Sequence, residues 1–355
     1  MNTLEHYKNK KVLITGHTGF KGAWMCEVLL EAGADVTGYA LAPTGSRSLF
    51  QMLSLDKYVR SVEGDIRNLD LLKAVFREYR PEIVIHMAAQ PIVRESYRNP
   101  VYTYDVNVMG TVNILECIRL SGSVKSFVNV TTDKVYKNKE WEWGYRENEE
   151  LNGYDPYSNS KSCSELVTES YRNSFLKDKE VAVSTMRAGN VIGGGDYAAD
   201  RIIPDCVRAA ESGQDIIIRN PDSIRPYQHV LEPVMAYLMV ADRQMTDRAL
   251  AGSYNIGPDE RDCVNTKYVA TEFCRYWEEK TGKKVNIAVR QDGGPHEAGY
   301  LKLDCSRIKK VFGWKPVWNI KEAVCKSVEL YTELRTEKSG QACMLRQIRE
   351  YEREG

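Results

Sequence analysis

The sequence predicts a doubly wound parallel α/β sheet followed by a smaller mixed domain. Two observations carry this prediction. Short apolar runs alternate with segments of helical periodicity through the first 190 residues, which indicates repeated strand and helix units. A glycine-rich turn lies between the first strand and the first helix, where dinucleotide-binding folds carry their phosphate loop. Together the two features are typical of a Rossmann-type domain.

The elements follow one another in a regular order. Apolar runs bounded by turn residues predict strands at 12–14, 36–41, 59–63, 82–87, 127–130 and 181–186. Helical periodicity predicts helices at 24–30, 68–79, 104–121 and 157–175. In a sheet of this kind, ligands bind beyond the carboxyl ends of the strands. Chemistry is therefore expected just after residues 87, 130 and 186.

The second half of the chain lacks the regular alternation of strand and helix patterns. Glycines and prolines divide it into short pieces, with a helix expected at 230–240 and a strand at 252–257 that returns to the sheet. Residues from about 335 onward are polar and charged, which favours a solvated terminal helix. We assign a dinucleotide-binding domain to 1–190 with a return at about 226–258, a substrate domain to 191–340, and a C-terminal tail to 341–355.

The composition excludes several classes of protein. The 355 residues carry 49 basic and 49 acidic side chains, so no basic excess is present that would bind nucleic acid or an anionic membrane. No apolar run approaches the ~18 residues of a membrane span, and the first residues lack the apolar core of a secretion signal. The nine cysteines never form a Cys-x-x-Cys pair, which argues against a metal site or a disulfide framework. We expect a reduced, cytoplasmic protein without a metal.

The glycine-rich turn contains Gly16, Gly19 and Gly22. Their missing side chains let the backbone turn tightly and approach a diphosphate at the helix N-terminus, so a bound dinucleotide is predicted. NAD enzymes usually keep an acidic residue about twenty positions later, but the chain there reads GYALA. Arg47 is near enough in sequence to contact a 2′-phosphate. The residues themselves therefore leave NADP open beside NAD.

Tyr157 and Lys161 are four residues apart on a predicted helix, which places both side chains on one face. A lysine and a positively charged nicotinamide would lower the pKa of a tyrosine from its ordinary ~10 and let it take a hydroxyl proton. Such pairs also occur by chance on exposed helices. The coincidence with the glycine-rich turn favours a catalytic role.

Thr132, Asp133 and Lys134 follow the strand predicted at 127–130. A hydroxyl, a carboxyl and an amine side by side can hold and move protons. Adjacent residues of a strand face opposite sides, so Asp133 and Lys134 can serve one substrate only if the strand has already ended. A surface ion pair at a strand exit is the alternative interpretation.

Eight segments resemble a known family. They are TGHTGFKG, MAAQP, TTDKVY, NKEWEWGYREN, YDPYSNSK, RAGNVIGGGD, IRPYQHVLEP and PHEAGYLKLD, between about residue 10 and about residue 318. The chain resembles the extended short-chain dehydrogenase/reductase superfamily and, within it, the nucleotide-sugar 4,6-dehydratases that act on CDP-glucose. The loop at 138–148 is the most specific part. Asp133-Lys134 is similar to the CDP-glucose members, whereas many related dehydratases carry Asp-Glu there.

The resemblance implies dehydration of CDP-glucose to CDP-4-keto-6-deoxyglucose, with hydride passing from C4 to NAD and back to C6. Tyr157, with Lys161 behind it, would deprotonate the C4 hydroxyl, and Thr132 would hydrogen-bond the C4 oxygen. Lys134 would remove the C5 proton while Asp133 protonates the departing C6 hydroxyl. A lysine can act as base only if its pKa falls from ~10.4 towards neutrality.

The resemblance also implies the binding residues. For the cofactor, taken as NAD because the family uses it, they are Gly16, Thr18, Gly19, Phe20, Gly22, Asp65, Ile66, Ala88, Ala89, Gln90, Asn107, Tyr157 and Lys161. For the nucleotide sugar they are Asn190, Arg201, Arg225, His296 and Tyr300, with Lys302 nearby. A turn carboxylate is the alternative for Asp65, and ordinary surface contacts are the alternative for Arg201 and His296. The two tryptophans of 141–143 suit a lid that excludes water.

Several alternatives stay open on the sequence. The substrate can be a GDP-, dTDP- or UDP-linked sugar, including one whose C5 is inverted. A nucleotide-sugar 4-epimerase needs Tyr157 and Lys161 but no acid and base at 133 and 134. A nucleotide-sensing protein without turnover is a further alternative, which the presence of Tyr157 disfavours. The superfamily resemblance implies a homodimer or tetramer through the helices at 104–121 and 157–175.

Overall fold

The computed structural model describes residues 3–43, 47–290 and 300–355. Its strands are β1 (Lys11–Thr15), β2 (Asp35–Ala40), β3 (Arg60–Glu63), β4 (Ile83–His86), β5 (Ser126–Val130), β6 (Ala182–Ala188), β7 (Val191–Ile192), β8 (Ile216–Ile218), β9 (Ile224–Arg225), β10 (Gln228–His229), β11 (Ser253–Ile256), β12 (Val264–Asn265) and β13 (Ile287–Val289). Its helices are α1 (Phe20–Glu31), α2 (Leu49–Met52), α3 (Leu69–Tyr79), α4 (Val93–Arg98), α5 (Pro100–Tyr104), α6 (Gly110–Leu120), α7 (Pro156–Tyr171), α8 (Ile202–Ser212), α9 (Leu231–Thr246), α10 (Thr266–Thr281), α11 (Ser306–Phe312), α12 (Ile320–Glu333) and α13 (Glu337–Glu354).

Seven parallel strands form the central sheet in the order β11-β6-β5-β4-β1-β2-β3. The predicted fold class is confirmed, because β1 to β6 lie where the apolar runs predicted strands. The strand predicted at 252–257 is β11, which pairs with β6 and returns the chain to the sheet. The order reverses between β1 and β4, which is the position where such sheets bind ligands.

Helices cover both faces of this sheet. Val12 and Ile14 of β1 pack into a core with α1 and α9, whereas Leu13 between them packs with α3 and α6 on the opposite face. All four residues of β4 and all five of β5 are buried. Strands that are covered on both faces read as continuous apolar runs, and this is why the sequence revealed them.

A smaller layer lies beyond the carboxyl ends of the strands. Three two-stranded ladders, β10-β7, β12-β9 and β13-β8, and the helices α8, α10 and α12 share a separate apolar core. This is the mixed second part that the sequence indicated, although its boundaries at 190 and 340 stay a prediction. Among the described residues, no helix combines the length and apolar character needed to cross a bilayer. All nine cysteines are free thiols.

The C-terminal segment corrects a prediction. It is helical, but α13 is not a solvated helix, because Cys343, Met344 and Ile348 are buried in the main core. Gln347 and Tyr351 complete a buried stripe at helical spacing. The many charged residues on the other faces of α13 hid this narrow stripe from composition.

The Glu232 carboxylate, at the start of α9, holds this C-terminal segment in place. It accepts hydrogen bonds from the backbone amides of Val317 and Trp318, at 3.1 and 2.8 Å, and from the Tyr351 hydroxyl at 2.7 Å. Its side chain is fully buried. Burial raises the pKa of Glu232 to about 7, against the opposing effect of these hydrogen bonds.

Replacing Glu232 by Gln is expected to change the pH dependence of unfolding. The folded-state pKa lies above the ordinary 4.5, so between about pH 4.5 and 7 the folded protein keeps a proton that the unfolded chain has released. Wild-type stability therefore falls as the pH rises through this window, by roughly 3 kcal/mol from this group. The stability of E232Q is expected not to fall in this window, because a glutamine side chain does not titrate. Urea unfolding at several pH values measures it, with E169Q as the control; parallel curves for E232Q and wild type would contradict the prediction.

Candidate active site

A cleft of about 1400 Å³ separates the central sheet from the smaller layer. Its walls include the ends of β1, β4, β5 and β6 on one side and residues of α8 and β9 on the other. Sites for one small molecule enclose ~300–1,000 Å³. This cleft is therefore large enough for two ligands side by side.

The glycine-rich turn lines one end of the cleft and can only be built from glycine. Gly16 has φ +77°, and a Cβ there would lie 2.8 Å from the backbone nitrogen of Ala88. A Cβ on Gly22 would lie 2.2 Å from the carbonyl oxygen of Gly16. The turn thus packs directly on the end of β4 and on the first turn of α1. Gly19, the N-cap of α1, has no side chain to occupy the first amides, so the residues present fit a diphosphate.

Most of the predicted cofactor residues line the cleft, namely Gly16, Thr18, Gly19, Phe20, Gly22, Asp65, Ile66, Ala88 and Ala89, with Tyr157 and Lys161. Gln90 and Asn107 do not; they lie behind its wall. The Asn107 side chain accepts the Gln90 amide at 2.8 Å and donates to the Ser160 hydroxyl at 2.9 Å. Asn107 sits in a π-helical turn, Asp105–Met109, that interrupts the single helix predicted at 104–121. It supports the cleft instead of contacting its contents.

The Asp65 carboxylate already has a protein partner. Arg67 donates to it from Nε and Nη2, at 3.0 and 2.6 Å, and this pairing lowers the pKa of Asp65 below its ordinary value. Its hydrogen bonds are therefore those of a turn carboxylate. Because Asp65 also lies on the cleft wall, its expected contact with the cofactor stays a prediction.

A smaller pocket of about 260 Å³ adjoins the cleft beyond the end of β2. The described side chains that line it include two carboxylates, Asp56 and Glu63, and no basic group. Arg47, which sequence reasoning placed near a 2′-phosphate, instead pairs with Glu211 of α8 at 2.6 Å. Its guanidinium is thus directed across the mouth of the cleft.

Tyr157 and Lys161 lie one turn apart on α7 and both line the cleft. Asp155 accepts the Ser158 amide and begins this helix. Burial raises the pKa of Tyr157 to about 12, while a hydrogen bond with Thr132 and the charge of Arg201 act in the lowering direction. That Lys161 and a bound nicotinamide lower the pKa of Tyr157 stays a prediction.

The Lys161 ammonium lies on the buried side of this pair. It donates to the carbonyl of Val130 at 3.2 Å. Burial lowers the pKa of Lys161 to about 8, and the nearby carboxylate of Glu165 raises it. Lys161 therefore carries a positive charge at neutral pH within hydrogen-bonding distance of the end of β5.

The acid and base candidates meet the geometric condition that the sequence imposed. β5 ends at Val130, and Asp133 begins a short 3₁₀ turn, so Asp133 and Lys134 both line the cleft. Thr132 donates to one carboxylate oxygen of Asp133 at 2.9 Å. The other oxygen is buried and has no hydrogen-bond partner among the described residues. Such atoms are rare in folded proteins and indicate a place for a ligand group.

The predicted substrate residues divide into three groups. Asn190, Arg201 and Arg225 line the cleft, and the Asn190 side-chain oxygen is a second buried atom without a described partner. Tyr300 lies outside the lining, and its amide donates to Glu140 at 3.0 Å. His296 falls in 291–299, outside the described residues.

The loop at 138–148 is held against the segment after residue 300. Tyr145 stacks on Tyr136 with ring centroids 5.3 Å apart, and its backbone pairs with Lys302 and Asp304. Trp141 packs on Tyr145, whereas Trp143 is 65% exposed. The base of the loop is thus anchored, and closure by its tip stays a prediction.

Sequence reasoning missed Lys21. It lies inside the glycine-rich turn, lines the cleft and donates to the Tyr237 hydroxyl at 3.3 Å. Burial, and then the charges of Arg201 and Lys161, lower the pKa of Lys21 to about 7. A basic residue between Gly19 and Gly22 was visible in the sequence, but which way it points was not.

Comparison with known proteins finds relatives among nucleotide-sugar enzymes. A family model described as GDP-mannose 4,6 dehydratase matches residues 13–327. A CDP-glucose 4,6-dehydratase from Salmonella typhimurium is 45% identical, over 97% of each chain. Two solved structures share the fold at lower identity. A dTDP-glucose 4,6-dehydratase from Bacillus anthracis, in complex with NAD, has a TM-score of 0.74 at 23% identity and covers 93% of this chain and 99% of its own. A UDP-glucose 4-epimerase from Thermotoga maritima, with UDP-glucose, has a TM-score of 0.77 at 22% identity. It covers 90% of this chain and 98% of its own.

Proposed function

The chain belongs to the GDP-mannose 4,6 dehydratase family of nucleotide-sugar enzymes, and we propose that it converts CDP-glucose to CDP-4-keto-6-deoxyglucose. The observation that carries the proposal is the convergence of Thr132, Asp133, Lys134 and Tyr157 on one cleft wall. A 4-epimerase needs Tyr157 and Lys161 only, whereas elimination of water also needs an acid and a base. The similar CDP-glucose enzyme supports the choice of nucleotide.

The roles of the residues follow from their positions. Tyr157 takes the proton of the C4 hydroxyl, and its pKa, raised by burial, must fall for this step. The Thr132 hydrogen bond and the Arg201 charge act in that direction. Lys134 takes the C5 proton, and Asp133, whose second carboxylate oxygen is buried, gives a proton to the C6 hydroxyl, which departs as water. When hydride returns to C6, C5 takes up a proton again. Bound NAD supplies the acceptor and donor of hydride.

We propose NAD and not NADP as the cofactor. The carboxylates of Asp56 and Glu63 line the pocket beyond β2 and would repel a 2′-phosphate. Arg47 is held by Glu211 and is directed away from that pocket. The NAD complex of the related dTDP-glucose dehydratase supports the same cofactor.

We propose the cytoplasm as its compartment, because the nine cysteines are free thiols and disulfides form mainly outside reducing compartments.

Arg201 and Arg225 would hold the diphosphate of the substrate. Arg201 lines the cleft beside Tyr157, and Arg225 lies farther along it. Guanidinium groups suit bidentate contacts with phosphate oxygens. For His296 and Tyr300 a role at the nucleotide end stays a prediction.

The first experiment offers purified protein and NAD four substrates separately: CDP-glucose, GDP-mannose, dTDP-glucose and UDP-N-acetylglucosamine. We expect loss of one water from CDP-glucose alone, detected by mass spectrometry. Water loss from another sugar would keep the reaction and overturn the substrate. Unchanged mass with all four would overturn the dehydratase proposal.

Two substitutions separate the steps of the reaction. Lys134→Met removes the amine but keeps the length of the side chain, so reduced cofactor is expected to form in a single turnover while water loss falls by at least ~100-fold. Tyr157→Phe is expected to prevent cofactor reduction itself. Lys137→Met is the matched control, because Lys137 pairs with Glu150 at the surface and lies outside the cleft lining. Wild-type water loss by the Lys134 variant would contradict the base assignment.

We also propose a homodimer through α6 and α7. Apolar side chains on and beside these helices are exposed: Met109 48%, Leu120 55%, Leu166 53% and Phe175 44%. Exposed apolar groups that share a surface mark interfaces between proteins. We expect Leu166→Asp to shift the mass measured by light scattering from dimer towards monomer, whereas Val311→Asp on α11 leaves it unchanged. A wild-type monomer, or a dimer that survives the Leu166 substitution, would contradict this interface.

A further inference from the structure

A buried ion pair joins α7 to β6 directly behind the candidate catalytic residues. Glu165 accepts hydrogen bonds from Arg187 Nε at 3.0 Å and from Nη2 at 2.8 Å. The two side chains are only 2% and 4% exposed. Removing charges from water is costly, so an ion pair at such a depth needs further partners to be tolerated.

Those partners are two hydroxyl groups from neighbouring strands. Thr131, at the end of β5, donates to one oxygen of Glu165 at 2.5 Å, and Thr185 of β6 donates to the other at 2.6 Å. The carboxylate therefore accepts four hydrogen bonds from two strands while it is carried by a third element, α7. Thr131 immediately precedes Thr132.

Successive turns of α7 form hydrogen bonds with Val130, the last residue of β5, and with Thr131, the residue that follows it. Lys161 donates to the carbonyl of Val130, and Glu165, one turn later, accepts the hydroxyl of Thr131. Ser162 donates to the carbonyl of Val135 at 2.7 Å, beyond the acid and base candidates. The segment 131–135 is thus fixed at both ends to the helix that carries Tyr157.

The charges around Lys161 come from three elements. Glu165 and Tyr157 share its helix, Lys21 faces it from α1 and His86 from β4. Burial lowers the pKa of His86 to about 3, so His86 is neutral. Lys21, when charged, opposes a charge on Lys161. The charge of Glu165 raises the Lys161 pKa, against the larger lowering effect of burial.

We propose that Glu165 is a positioning residue of the dehydratase site, which fixes Thr131, the residue after β5, to the helix that carries Tyr157 and Lys161. The inference rests on the proposed function, since it gives Tyr157 and Lys161 their catalytic meaning. Glu165 touches neither of the proposed ligands; it lies outside the cleft lining. It acts through Lys161 and Thr131.

The test measures the pH profile of cofactor reduction in single turnovers of the full chain with NAD and CDP-glucose. Glu165→Gln keeps the shape and removes the charge, so Lys161 loses its proton at lower pH. The alkaline limb of the profile is expected to move down by at least ~0.5 pH unit. Thr185→Val is the matched control, because it removes one hydrogen bond to the same carboxylate and leaves the charge. The alkaline limb of the Thr185→Val profile is expected to stay at the wild-type pH.

Glu165→Gln leaves the Arg187 charge buried and unpaired, and this variant can fail to fold. In that case the double variant E165Q/R187Q, which has no unpaired buried charge, is measured in the same way. Its alkaline limb is expected to move in the same direction but by less, because the positive charge of Arg187 is removed as well. An unmoved alkaline limb in a folded variant, with only a lowered unfolding temperature, would overturn the inference and reduce Glu165 to a structural role. Failure of the proposed function looks different, since wild-type protein itself would then reduce no cofactor with CDP-glucose.

Discussion

Helices cover the parallel sheet on both faces, and this constraint determines where the site can lie. While β4 and β5 run through the interior, their side chains are buried on both sides, which restricts them largely to apolar types. A polar side chain inside a strand needs a buried hydrogen-bond partner, as Asn129 of β5 has in Ser164 and Thr168. Polar groups can face a ligand only where the strands end. The chain leaves β5 after Val130, and the next four residues supply two hydroxyls, a carboxyl and an amine. The chemistry is thus concentrated where the packing constraint stops.

Desolvation then sets the ionisation of the groups that collect there. Burial is the largest cause of the pKa shifts of Tyr157, Lys161 and Lys21, and it disfavours the charged form of each. The surrounding charges and hydrogen bonds decide how much of that cost is recovered. Glu165 favours the charge on Lys161, whereas Arg201 favours the phenolate of Tyr157. The ionisation of each titratable group in this low-dielectric cleft therefore depends on the neighbouring charges as well as on its own residue type.

The accuracy of prediction from sequence depended on the range of the interactions involved. The strands of the sheet and the glycine-rich turn were predictable, because each is encoded by a local pattern. The buried face of α13 was not, since its apolar residues are sparse among charged ones and their partners lie in α1 and α12. Asn107, expected among the cofactor residues, lies in a π-helical turn and bonds Gln90 and Ser160 behind the cleft wall, and periodicity alone revealed neither the turn nor these partners. Arg47 met Glu211 from a segment more than 160 residues away, a pairing that no local pattern contains.

The sequence by itself determined the fold class, the position of the phosphate turn, and the residues that carry the proposed chemistry. Periodicity, glycine spacing and the short motifs at 131–136 and 157–161 are properties of neighbouring residues, so they can be read without a structure. The tertiary structure decided which of these residues share a cleft and in what state of ionisation. It also revealed Lys21 and Glu165, whose importance depends on what lies across from them. Contacts between distant segments and the depth of burial are set by the packing of the whole chain, and this is why they become visible only in three dimensions.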